Sequence, residues 1–62
     1  MILLARPNGH PILLNADLIE TVEEASDTVI TLVNGNKVIV RDSLESVRQR
    51  VIEFRRAISM PG

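Results

Sequence analysis

Residues 18–40 read LIETVEEASDTVITLVNGNKVIV, and the Asn34-Gly35 pair within them decides the fold. Two apolar, β-branched runs flank that pair. Asn-Gly between such runs is the strongest short-range hairpin signal, because both residues tolerate the positive φ of a tight turn. A two-residue loop there sets Leu32 opposite Lys37, Ile30 opposite Ile39 and Val29 opposite Val40. One face of the hairpin then carries Ile30, Leu32 and Ile39, and the other Val29, Val33, Val38 and Val40. Both faces are apolar, whereas a single helix covers only one. The four valines are therefore the expected self-association surface, and a homo-oligomer the expected state.

Working outward, residues 2–6 form an apolar run that ends in Pro7-Asn8-Gly9, a turn sequence. Residues 10–14 predict the returning strand. Pro11 lacks an amide hydrogen, so that strand belongs at an edge or Pro11 lies just outside the ladder. Asn15-Ala16-Asp17 predicts a second turn. Residues 18–24 contain good helix formers, but their shortness, their β-branched residues and the hairpin that follows favour a strand. Ala25-Ser26-Asp27 turns the chain into residues 28–33. From Leu44 the apolar residues fall at 44, 47, 51, 54 and 58, a three-four alternation that predicts one amphipathic helix. Asp42 with Glu45 fits a capping box, with Ser43 as the alternative cap. The expected architecture is β-β-β-β-β-α: an α+β domain with a small antiparallel sheet of about five strands, flat or strongly curled, and a C-terminal helix. One domain spans residues 1–62, its last three residues, 60–62, expected to fray. No repeat occurs at the period of a solenoid.

A chain of 62 residues without cysteine has no disulfide to support a small core. A single histidine, His10, makes a metal site improbable on composition, and no cofactor motif occurs. The net charge of −1 argues against a nucleic-acid protein. The charge is segregated, however. Asp17, Glu20, Glu23, Glu24 and Asp27 stand without an intervening base, whereas six of the nine charged residues from Lys37 to Arg56 are basic. No run is long enough to cross a membrane. MILLA, followed by Arg6, is not expected to be a signal peptide, and a cytoplasmic protein is expected.

Catalysis finds no constellation. The acidic cluster has no neighbouring His or Lys to divide acid and base roles, and strand alternation would send Glu20 and Glu24 one way and Glu23 the other. His10 has no Ser, Cys or second His to partner it, and neither Asn-Gly pair extends into a phosphate-binding loop. The chain is thus expected not to be an enzyme. Arg48 and Arg55, seven apart, share one line of the helix with Ile52 beside them. An apolar residue between two arginines suits the centre of a protein interface with a polar rim. Ordinary helix-surface charge, with Arg50 and Arg56 paired to Glu53, is the alternative.

The run NADLIETVEE from Asn15, then DTVITLVNGNKVIV from Asp27, then VIEFRR from Val51 resembles the FlbD-like flagellar protein family, some members of which are called SwrD or swarming motility protein. Its most specific pieces are Asn15, Asp17, Leu18, Ile19 and Glu20, with Asp27, Thr28 and Gly35. The chain departs from the family pattern at Pro7 and at His10-Pro11. The resemblance implies a small bacterial protein of the cytoplasm, at the cytoplasmic face of the flagellar motor. It also implies a part in swarming and motor power through contact with motor or stator proteins. Two likenesses point elsewhere. MILLARPNGHPILL is superficially similar to CsrA, an RNA-binding dimer of five strands and a helix, for which Arg6, Arg41 and Lys37 would be the basic contacts. Residues 30–44 loosely match the LytTR DNA-binding pattern. Either would make the chain a small nucleic-acid-binding regulator.

Overall fold

The computed structural model describes residues 1–59, with side chains through Ala57. The expected frayed tail and the place of Ile58 in the helical stripe lie outside what is described. Five strands precede one helix: β1 (Ile2–Ala5), β2 (Pro11–Leu14), β3 (Ile19–Glu24), β4 (Thr28–Leu32), β5 (Lys37–Val40) and α1 (Leu44–Ser59). The strands form two antiparallel sheets, β1-β2 and β3-β4-β5, and neither closes into a barrel. The expected α+β order is therefore present, and residues 19–24 are strand, entered through a 3-10 turn at Ala16–Leu18. Asn15 starts that turn by accepting the Asp17 N–H through its side chain (3.0 Å).

The register of the β4-β5 hairpin differs from the expectation by one residue. Thr31 stands opposite Lys37, Ile30 opposite Val38, Val29 opposite Ile39 and Thr28 opposite Val40. The cause is the loop. Gly35 N–H donates to the Leu32 carbonyl (2.9 Å) and Leu32 N–H to the Asn36 carbonyl (2.8 Å). The loop thus holds three residues, Val33-Asn34-Gly35, a β-turn followed by a bulge in which Gly35 takes φ +89°. Because side chains alternate with period two, the shift moves half the hairpin to the other face. Val38 and Val40 join Ile30 and Leu32 on the inner face, and Ile39 leaves it. Val40 is completely buried, Val38 packs against the core, Val29 is half-buried, and Val33 sits in the turn at 59% exposure. The four valines do not share a face.

The first hairpin is built the same way. Gly9 N–H donates to the Arg6 carbonyl and Arg6 N–H to the His10 carbonyl (both 2.8 Å), with Gly9 at φ +90°. In each loop the asparagine side chain accepts the N–H two residues on, Asn8 from His10 and Asn34 from Asn36 (both 3.0 Å). Counterparts lie 26 positions apart, as Asn8 to Asn34, and their burial matches: Ile2 with Thr28, Leu4 with Ile30, and Leu14 with Val40 are all buried. Pro11 opens β2, an edge strand, opposite Ala5. The Ala5 N–H and C=O are turned away from β2 to other partners, so the missing amide hydrogen leaves no gap in the ladder.

Those partners join the two sheets. Arg41 N–H donates to the Ala5 carbonyl (2.8 Å), and Ala5 N–H donates to Oδ1 of Asp42 (2.8 Å). Oδ2 of Asp42 lies 3.9 Å from Nε of Arg50 on α1. Asp42 is therefore a tie between β1 and the helix, not the helix cap. The cap is Ser43, whose Oγ accepts the Ser46 N–H (3.1 Å) while its carbonyl accepts the Val47 N–H (2.9 Å). Helix α1 packs on β1 and β3, with Val47 completely buried among Ile2, Leu4, Leu14, Ala16, Ile30, Leu32 and Val40. Burying side chains such as Ile30, Val40 and Val47 stabilises by about 1.5–3 kcal/mol apiece. Leu44, Val51 and Phe54 continue the stripe at half-burial.

Candidate functional site: an apolar groove between β3 and α1

A bulge in β3 creates the site. Ile19 stands opposite Leu32 and Thr21 opposite Thr31, so Glu20 is the extra residue. Regular alternation would point Ile19 and Val22 to opposite faces. The bulge turns both toward the helix. Together with Leu44, Val47 and Val51 of α1 they line an open groove of about 360 Å³. Arg48, Ile52 and Arg55 form its helical rim. Three residues that the sequence singled out for partner contact are thus brought to one edge of an apolar depression.

The rim has its own electrostatics. Nη1 of Arg48 donates to Oε1 of Glu45 at 2.8 Å, one turn earlier on an exposed face. That pair holds the Arg48 guanidinium on its side of the helix and leaves it in solvent, where a surface ion pair contributes little to stability. Arg50 belongs to the opposite flank, where it meets Asp42 and not the expected Glu53. At the N-terminal end of the helix, Oε1 of Glu24 accepts the Leu44 N–H at 3.0 Å. Glu24 can do this because it stands opposite Thr28, on the inner face that the helix covers. It supplies negative charge where the helix dipole favours it.

The acidic cluster does not converge. Glu20 occupies the bulge, Glu23 faces outward opposite Val29, Glu24 engages the helix, and Asp17 lies in the 3-10 turn. Among the described residues no three His, Asp or Glu side chains stand close enough to hold a metal ion. His10 is exposed in the first turn, with its ring Nδ1 3.5 Å from the Asn8 amide nitrogen. The motif residues Asn15, Asp17, Leu18, Ile19 and Glu20 form the turn and bulge that aim β3 at the groove. Thr28 is buried and Gly35 makes the loop bulge. Sequence reasoning missed Ile19 and Val22 as groove residues because a bulge is silent in an apolar pattern. It missed the roles of Glu24 and Asp42 because each acts on a residue far along the chain.

No described helix is long and apolar enough to cross a membrane. No curated protein and no solved structure gives a significant match to the chain. The sequence model of a family described as flagellar and swarming motility proteins (FlbD) matches residues 1–59. That match covers both hairpins, the bulged strand and the described helix, and with it the chain belongs to the FlbD family of flagellar and swarming motility proteins.

Proposed function

We propose that this flagellar protein is a non-enzymatic adaptor at the cytoplasmic face of the motor, docking a motor or stator component in the β3–α1 groove. The observation that carries the reading is the apolar groove with Arg48 and Arg55 on its rim and Ile52 between them. Its occupant is an apolar segment flanked by acidic residues. The apolar side chains fill the depression over Val22 and Val51, and the carboxylates meet the two guanidinium groups. Membership of a motility family supports the same reading.

The double substitution Arg48→Glu with Arg55→Glu tests it. Both residues are exposed, so folding is retained; at position 48 the favourable pair with Glu45 is replaced by a like-charge one, a cost of about 0.4–1 kcal/mol. Swarming is expected to weaken while circular dichroism and protein level stay unchanged. Normal swarming with the double change overturns the docking reading. Tight, salt-sensitive RNA or DNA binding by the wild type would overturn it in favour of a nucleic-acid regulator.

A further inference from the structure

We infer that a second copy of this chain pairs antiparallel along β2, joining two β1–β2 hairpins into one four-stranded ribbon with Leu13 on the two-fold axis. This goes beyond the docking reading and does not depend on it, since no residue of β2 lines the groove. Leu3 and Leu13 are cross-strand neighbours, and both point outward at 52% and 65% exposure. Ala5 and Pro11 do not bond each other, so by antiparallel alternation Leu3 and Leu13 form a pair of the same kind. The N–H and C=O of Leu13 are therefore directed to the open side of β2, ready to exchange two hydrogen bonds with the partner's Leu13.

Charge selects the occupant. Homotypic pairing sets each edge against its own likeness, so an edge that carries charge repels its copy. β3 carries Glu20, Glu23 and Glu24 together with a bulge, and two such edges repel. The outer side of β5 is flanked by Lys37 and Arg41, and the Arg41–Ala5 bond occupies its far end. β2 reads Pro-Ile-Leu-Leu without a charge. Its one guard is Pro11, which a two-fold through Leu13 sets opposite the partner's Asn15. Regular pairing would call there for the N–H that proline lacks, but the Asn15 carbonyl already accepts the Leu18 N–H of its own chain (3.1 Å), so the Pro11 carbonyl accepts and no acceptor is left unpaired. The pairing also brings Leu3 and Leu13 of both copies into one apolar band. A standard interface removes roughly 800 Å² from each partner. That is close to a fifth of this chain's 4370 Å², and a contact built on four-residue strands is smaller, the size class of weak, reversible association.

Sedimentation equilibrium of the full chain across a micromolar series tests the inference, with the Leu13→Lys variant alongside and Leu13 amide exchange followed by NMR. The expected result is a mass rising from 6.9 kDa toward twice that value, dimerisation weakened by Leu13→Lys, and Leu13 exchange that slows as concentration rises. The substitution is expected to weaken association about tenfold or more. A monomer throughout, a dimer indifferent to Leu13→Lys, or Leu13 exchange independent of concentration overturns it. If Leu13→Lys unfolds the chain, the wild-type exchange measurement decides alone.

Discussion

Asp42→Ala removes the side chain that holds the first hairpin to the helix, and its effect can be worked from the structure. The carboxylate accepts the Ala5 N–H at 2.8 Å across 37 residues of chain, and its side chain is only 14% exposed. A hydrogen bond to a charged acceptor contributes about 1.5–3 kcal/mol, and Ala5 is left with an unpaired, half-buried N–H. The Arg50 contact adds little, because it is long at 3.9 Å and Arg50 is 47% exposed. The expected loss is about 2–3 kcal/mol, or a fall in Tm of roughly 10–20 °C for a domain this small. Asp42→Asn keeps an acceptor oxygen without the charge and is expected to lose about half as much, since charge-assisted bonds are about twice as strong as neutral ones. Urea unfolding followed by circular dichroism measures both, with an unchanged m-value showing that only stability has moved. An Asp42→Ala protein within about 0.5 kcal/mol of wild type would refute the tie as a stabilising contact.

Two further substitutions separate the roles of neighbouring residues. Ser43→Ala deletes the helix cap and is expected to lower stability by about 1 kcal/mol in the same urea assay, less than Asp42→Ala. Gly35→Ala forces a side chain into φ +89°; nothing lies within 4 Å of the added methyl, so the expected loss of about 1 kcal/mol is backbone strain alone, and an unchanged midpoint would contradict the assigned loop.

The elements of this fold are legible in its sequence, and the reasons are particular. Asn-Gly twice, the Asn15-Asp17 turn and the three-four spacing from Leu44 place both hairpins, the bend and the helix. The register was not legible, because Asn-Gly serves two loops. In a two-residue loop both Asn and Gly take positive φ; in the observed loop Asn34 stays at negative φ and only Gly35 is left-handed. Pro7 held a clue, since a two-residue loop would need its N–H to close the hairpin, and proline has none, whereas its φ near −65° suits the first position of the observed turn; the two loops are alike. With the observed register, much of the supposed surplus apolar face disappears: Val38 and Val40 belong to the core, and Val29, Ile39 and the turn residue Val33 are what remain outside. Of the candidate site, the Arg48, Ile52 and Arg55 rim is readable from helical spacing. The groove it borders is not, because it depends on the Glu20 bulge.

The joining of the sheets through Ala5, Arg41 and Asp42 also has a meaning in time. Each hairpin closes on itself through three residues, a microsecond event. Attaching the first hairpin instead brings Ala5 to Asp42, 37 positions away, a late and entropically costly closure. What assembles last on such terms is also a natural unit to leave first. The β1-β2 hairpin, held by one backbone bond, one carboxylate and the packing of Ile2, Leu4 and Leu14, is a candidate for sub-global opening. Amide exchange in β1 and β2 would then run ahead of exchange in β4, which lies between two strands, and the helix would lose its β1 support while keeping β3 and the groove.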